Sequence, residues 1–245
     1  MNLSRNDWKE LGVRLLVPAS GVLAALLISA VFLLLLDANP IAAYGAMVRG
    51  AFGSTFGLTQ TLVKATPLLL VGLGICIAFR AKCINIGGRG QMIAGALLTA
   101  AFALRFPDLP GWIMIPSLIV FGFVGGAAWG FIPGILKARF NVNEILTTIM
   151  MNSIALQLMN LLLQGPLMDP AGIEAGTFLA QSARLPDAAR LARLVPRTLL
   201  HSGIFLALAM AVVVFIFLWR TTLGYRIRAC GLNPHASSYS GIRVP

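Results

Sequence analysis

The chain has 245 residues, of which 58% are hydrophobic and only 11% charged, and its mean hydropathy is +0.86. A soluble domain carries roughly 25% charge, so this chain lacks the polar residues to cover a water-facing surface; a soluble enzyme, a disordered tail and a collagen-like repeat are excluded. The net charge of +11, from 19 basic and 8 acidic residues, fits basic loops facing an anionic membrane leaflet and needs no nucleic acid.

A spanning helix needs about 20 apolar residues. The first charge-free run is Leu15–Leu36, 22 residues long. It follows the basic Arg5, Lys9 and Arg14, but it is too long for a signal-peptide core and no small-x-small cleavage site follows it. It is expected to be the first membrane helix. Residues 38–58 are broken by Gly45, Arg49 and Gly50 and suggest an interfacial or partly embedded helix. Two short runs come next, Ala65–Phe79 of 15 residues and Met92–Leu104 of 13. As helices they would reach only about 20 Å. They are expected to form two short spans or a re-entrant pair.

Three long runs complete the set: Leu109–Leu136, Ile145–Met168 and Thr198–Trp219, of 28, 24 and 22 residues. The expected fold is therefore all-α, a polytopic membrane helix bundle of about six membrane segments, forming one transmembrane domain over residues 1–245. With the short pair crossing an even number of times, residues 1–14, 80–91, 137–144 and 220–245 share one side and hold 12 basic residues, against 7 on the other. The N-terminus and the tail from Arg220 are predicted cytoplasmic.

Gly122, Gly126, Gly130 and Gly134 recur every four residues and should form a track where another helix packs closely. Met150, Met151, Met159 and Met168 read as adaptable packing. Cys76, Cys83 and Cys230, with His201 and His235, match no metal-ligand spacing, so no metal is expected.

Polar groups within a membrane protein's apolar segments call for a functional explanation. Three stretches supply them. The segment Arg80–Gln91 joins the two short runs; Asn85 and Gln91 offer donors and acceptors, and Gly87, Gly88 and Gly90 allow close approach. It suits either a transport pathway or a plain cytoplasmic loop. In Asn141–Asn152, either Asn143 or Asn141 can cap the next helix, with Glu144 in its first turn. Glu144, Thr148 and Asn152 then make a stripe at i, i+4 and i+8 that must face protein or water. In the tail, Asn233-Pro234 can start a short helix, as cap and first residue, carrying Ala236, Tyr239 and Ile242 on one face. The helix would dock a soluble partner or lead into another membrane helix. The four lysines are followed by Glu10, Ala65, Cys83 and Ala138, so the chain has no Walker A site.

Together these stretches resemble the permease subunits of bacterial ABC importers for nucleosides and simple sugars, in the branched-chain-amino-acid/ribose-type permease superfamily. Cys83–Met92 is similar to the family's FNIGxEGQ stretch, Asn143–Ala155 to NEVISTIMLNYIA, and Thr222–Ile242 to TxxGYRIRAVGxNPxAAxxxGI. The resemblance covers most of the chain from about residue 65. It implies an inner-membrane permease with no cofactor of its own, a second permease subunit (homo- or heterodimer), an external solute-binding protein, and cytoplasmic ATPase subunits that use the ATP. By the same resemblance Asn85, Gly87, Arg89, Gln91, Asn143, Glu144, Thr148 and Asn152 line or brace the solute pathway, and Gly224, Arg228, Gly231, Asn233, Pro234 and Gly241 belong to the segment coupled to the ATPase.

Two departures stand out. Arg89 replaces the family's usual Glu, and a cation there could favour a different solute or pair with Glu144. The family also continues for several helices past the tail's Gly241-Ile242, so the resemblance implies a chain cut off as the next helix begins. Two rivals remain: an ion-coupled secondary transporter with Glu144 as proton carrier, and a non-transporting scaffold.

Overall fold

In the computed structural model, residues 5–174, 176 and 179–242 are described, with side chains from Leu16 onward apart from Ile173. The chain divides into two compact units, Met1–Thr61 and Leu62–Pro245. Among the described residues every regular element is helical, apart from one isolated bridge between Arg193 and His201.

The first unit holds α1 (Arg5–Leu35), which contains the apolar span Leu16–Leu35, and α2 (Pro40–Phe52). Asn39 starts α2: its side chain accepts hydrogen bonds from the Ile41 and Ala42 amides, at 3.0 and 3.2 Å, and Pro40 follows as the first helical residue. The Tyr44 hydroxyl donates to the Leu26 carbonyl at 2.6 Å, tying α2 to α1.

The helix α3 runs Thr55–Arg80, 26 residues, and is long and apolar enough to cross a membrane. This corrects the short run Ala65–Phe79. Counting charge-free residues stops at Lys64, but the threonines ahead of it do not break the helix. Thr59, Thr61 and Thr66 donate to the carbonyls of Phe56, Gly57 and Leu62 at 2.9, 3.0 and 2.8 Å. Each hydroxyl is satisfied within its own helix, so the polar turns continue the span.

In the second unit, α4 (Gly88–Arg105) and α5 (Gly111–Phe140) lie antiparallel and in close contact. The rings of Phe102 and Phe121 stack at 4.3 Å between centroids, and the Thr99 hydroxyl lies 3.4 Å from the Leu118 carbonyl. A Cβ on Gly125 would come within 3.0 Å of the Gly95 Cα, and one on Gly95 within 2.7 Å of the Gly122 carbonyl. Small residues thus bring the two backbones together, the usual basis of helix association in lipid. Among the described residues five helices meet both length and apolarity for a span, and α4 falls outside them.

Helix ends correct three more boundaries. The α5 helix runs past Leu136 to Phe140 and stops at Asn141, whose φ of 51° places it in the left-handed region. Asn143, not Asn141, then caps α6 (Glu144–Leu163) by accepting from the Ile145 and Leu146 amides. The α6 helix ends five residues before Met168, because Gly165-Pro166 cannot continue it. A short α7 (Pro170–Glu174) and a 3-10 turn (Asp187–Ala189) follow. Thr198–Ser202 are not helical: Leu194 and Ser202 amides donate to Leu200 and Ala192 carbonyls, and the His201 Nδ1 accepts from the Gly203 amide at 3.1 Å. The next helix, α8, is therefore Gly203–Arg220, followed by α9 (Thr222–Leu232) and α10 (Pro234–Tyr239).

Candidate functional site: a clamped polar loop and a docked tail

The polar loop between α3 and α4 is held by α6. The Asn85 side chain accepts from the Gly87 amide at 2.8 Å, forming a local turn. Asn152, two turns into α6, makes both of its hydrogen bonds to the loop and the start of α4. Its Oδ1 accepts from the Gly90 amide at 2.7 Å, and its Nδ2 donates to the Ile86 carbonyl at 2.9 Å. One amide side chain thus satisfies a helix-start N–H and a loop C=O that have no partner in a helical ladder.

The glycines make this approach possible. A Cβ on Gly90 would sit 3.0 Å from both the Asn152 Oδ1 and the Trp129 Nε1, and one on Gly87 would sit 3.2 Å from the Thr148 Cβ. Thr148 is buried and donates back to the Glu144 carbonyl at 2.7 Å. Trp129 of α5 donates to the Met151 carbonyl at 3.3 Å. The sequence reading passed over Trp129. Its indole N–H in an otherwise apolar run was the available signal, since such a donor must find an acceptor.

Gln91 points across α4 toward α5, and a Cβ on Gly130 would lie 2.8 Å from its Nε2. Along the glycine track, Gly122 faces the Thr99 hydroxyl and Gly126 the Gln91 carbonyl, whereas nothing lies within 4 Å of the Cβ position of Gly134. An open cleft of about 460 Å³ runs over Gly122, Gly126 and Gly130, with Gln91 and Phe123 at its edge.

Asn85, Gly87, Thr148 and Asn152 therefore come together, while Gln91 faces Gly130 of α5. Arg89 does not join them: it is exposed. Glu144 pairs instead with Lys137, at 2.9 Å, across the turn at Asn141. Of the two roles open to Arg89, the pair with Glu144 is therefore not formed. Lys137 closes α5 and Glu144 opens α6, so both charges also sit at the helix ends their signs favour.

The tail has its own close contacts. The Thr221 hydroxyl donates to the Phe217 carbonyl at 2.6 Å and accepts from the Gly224 amide at 3.0 Å, starting α9. Gly224 is pressed against the Phe217 and Leu218 carbonyls, and Gly231 against the Arg80 carbonyl and Ala81. The Lys82 ammonium donates to the Leu232 carbonyl at 3.3 Å. Asn233 caps α10 by accepting from the Ala236 amide, with Pro234 at the first position, as its sequence predicts. The predicted face of Ala236, Tyr239 and Ile242 is shorter than expected, because α10 ends at Tyr239 and Gly241 turns the chain with φ 79°. Among the described residues no cluster of His, Cys, Asp or Glu has the makings of a metal site.

The family model for branched-chain amino acid transport system / permease component matches residues 57–245. The chain belongs to that permease family. Five apolar helices of spanning length among the described residues make it a multi-pass membrane protein. It is 36% identical over 230 residues to the guanosine ABC transporter permease protein NupP of Bacillus subtilis, covering 94% of this chain and 65% of that relative. It is 35% identical over 234 residues to the nucleoside ABC transporter permease protein NupB of Lactococcus lactis, covering 94% and 64%. It is 36% identical over 235 residues to the glucose ABC transporter permease protein TsgB13 of Haloferax volcanii, covering 92% and 60%. The chain thus spans less than two thirds of the length of these relatives. No solved structure matches it.

Proposed function

We propose that this permease chain is the membrane-spanning subunit of an ATP-binding-cassette importer for a nucleoside or simple sugar. The observation that carries the proposal is the seat of Gly231 on the Arg80 carbonyl. It puts the tail against the end of α3, directly ahead of the polar loop that Asn152 clamps. A push on the tail therefore acts on the residues flanking that loop. The names of the relatives, which specify guanosine, nucleoside and glucose, favour a small polar solute.

In this reading separate cytoplasmic ATPase subunits hold the tail, with Gly224, Arg228, Gly231, Asn233, Pro234 and Gly241 forming the coupling segment. A second permease subunit completes the pathway, and an external solute-binding protein delivers the solute. The N-terminus and residues 220–245 face the cytoplasm. Asn85, Gly87, Gln91, Asn143, Thr148 and Asn152 brace or line the route. ATP binding brings the ATPase subunits together, the tails move with them, and the helices alternate between outward and inward access. The ion-coupled rival rests on Glu144, which is paired with Lys137 at 2.9 Å.

The test is uptake by proteoliposomes holding the full-length permease, its ATPase subunits and its binding protein. ATP-dependent accumulation of a nucleoside or sugar is expected. Accumulation driven by an ion gradient without ATP would overturn the proposal.

A further inference from the structure

Where the tail meets the membrane helices, two arginines converge on one indole. The guanidinium carbon of Arg228, on α9, lies 4.3 Å from the ring centroid of Trp219, the penultimate residue of α8. That of Arg80, the last residue of α3, lies 5.4 Å from the same ring. Both are within cation–π range. Three helices thus share one aromatic side chain.

The charges around the indole are unusual. Residues 203–245 contain no Asp or Glu. Among the described residues no carboxylate pairs with Arg80 or Arg228; the ion pairs are Lys137–Glu144 and Arg190–Asp187. The electron-rich face of Trp219 is what draws the two cations toward one point. The Arg228 Nε is buried and makes no hydrogen bond. Leaving such a donor unpaired is costly, and a native protein that retains one calls for an explanation.

The surrounding contacts close the same joint. Gly231 sits on the Arg80 carbonyl, Lys82 reaches the Leu232 carbonyl, and Thr221 fixes the α8–α9 corner through Phe217 and Gly224. Among the described residues, the indole contact joins α3, α8 and α9 at once. Hydrogen bonds hold one geometry, whereas a guanidinium over a ring face remains attracted while it stays within about 6 Å of the centroid.

We infer that Trp219, with Arg80 and Arg228, is a positioning cluster that makes α3 follow the tail when the ATPase subunits move it. This rests on the proposed ABC-importer function and names the route by which the tail acts. Without the indole, α9 would still press on the Arg80 carbonyl through Gly231, but only the Lys82–Leu232 hydrogen bond would be left to pull on the segment that follows α3. The ATPase subunits would then move less solute per turnover.

The experiment measures solute uptake and ATP hydrolysis in the same proteoliposomes for the wild type, W219A, W219F and R80M. The wild type comes first: absence of ATP-driven uptake there would sink the importer reading itself, and with it this inference. Given an active wild type, W219A and R80M are expected to lower solute moved per ATP at least threefold while ATP turnover stays within about twofold, since hydrolysis takes place on another chain. W219F keeps a ring face for both guanidinium groups and is expected to restore at least two thirds of the wild-type ratio. Indole emission, compared between wild type and R80M, is expected to shift more in the wild type when the ATPase binds nucleotide. An unchanged ratio in W219A, or a W219F as defective as W219A, would overturn the inference. If W219A does not assemble, R80M and the emission comparison decide the matter on the same criteria.

Discussion

Two joints in the second unit rest on glycines in close contact with their neighbours, yet they are closed by different forces. At the start of α4, Gly87 and Gly90 meet Thr148, Asn152 and Trp129, and the joint is fastened by the two directional bonds of Asn152, at 2.7 and 2.9 Å. At the tail, Gly231 meets the Arg80 carbonyl, and the fastening is a 3.3 Å lysine contact and an indole shared by two arginines. Directional bonds fix a geometry; contacts to a ring face and to a flexible ammonium keep surfaces together through a movement. The contrast suggests a braced loop and a joint built to transmit motion.

The contrast breaks most easily at Gly231. A side chain there meets the Arg80 main chain, which cannot swing aside as a flexible side chain can. G231L is expected to unseat α9, to abolish uptake per ATP, and to destabilise the solubilised protein by about 3 kcal/mol, the upper range for overpacking. Thermal unfolding in detergent with parallel uptake assays checks both effects. A variant with wild-type coupling would show that the seat of α9 on α3 is not used. The next largest effect is expected at Asn152. N152L leaves the Gly90 N–H and the Ile86 C=O without their partners, which costs about 1–3 kcal/mol for each buried group that stays unsatisfied. Hydrogen exchange should rise at Gly90 while α9 amides keep their protection. Loss of protection in both places would mean that the two joints are one cooperative body.

Much of this was legible in the sequence, and the remainder shows where one-dimensional patterns stop. Asn233-Pro234 and Asn143 declare helix starts because a cap acts within three residues, and the structure has both. The glycine spacing on α5 exposes a track but not its extent: Gly122, Gly126 and Gly130 face α4 residues, while Gly134 lies beyond the end of that contact. The length of α3 was hidden because charge-free counting stops at Lys64, whereas the helix begins at Thr55 and runs through that lysine, with the hydroxyls of Thr59 and Thr61 turned back onto carbonyls. The Arg80–Trp219–Arg228 cluster had no sequence signal, since its members are 139 and 9 residues apart and belong to three helices.

A smaller effect separates glycines along the track. G130A puts a methyl group 2.8 Å from the Gln91 Nε2, and that flexible side chain must shift. It is expected to cost about 1 kcal/mol, the low end for overpacking. At Gly134, where the space is open, alanine instead gains helix propensity of up to about 1 kcal/mol. Melting temperatures of the two variants should therefore move in opposite directions, and a fall in both would mean that Gly134 has a packing partner in the assembled complex.

The smallest effect is expected where the sequence suggested the greatest importance. Glu144 is a lone acid among apolar residues, which made it the candidate proton carrier. Its carboxylate lies 2.9 Å from the Lys137 ammonium, with the two side chains 20% and 36% exposed. Partly exposed pairs of this kind contribute at most about 1 kcal/mol. Gln at this position keeps the size and the ability to accept a hydrogen bond from Lys137, and removes only the charge. E144Q should lower stability by about 0.5 kcal/mol, less in high salt as screening weakens the pair in the wild type too. Its uptake should keep both its rate and its pH profile. A proton-coupled transporter would behave differently: without a titrating carboxylate it would lose accumulation altogether, and no salt concentration would hide the loss. E144Q therefore separates a charge that staples α5 to α6 from a charge that carries the transport cycle, and retention of ATP-driven uptake leaves Glu144 on the structural side of that division.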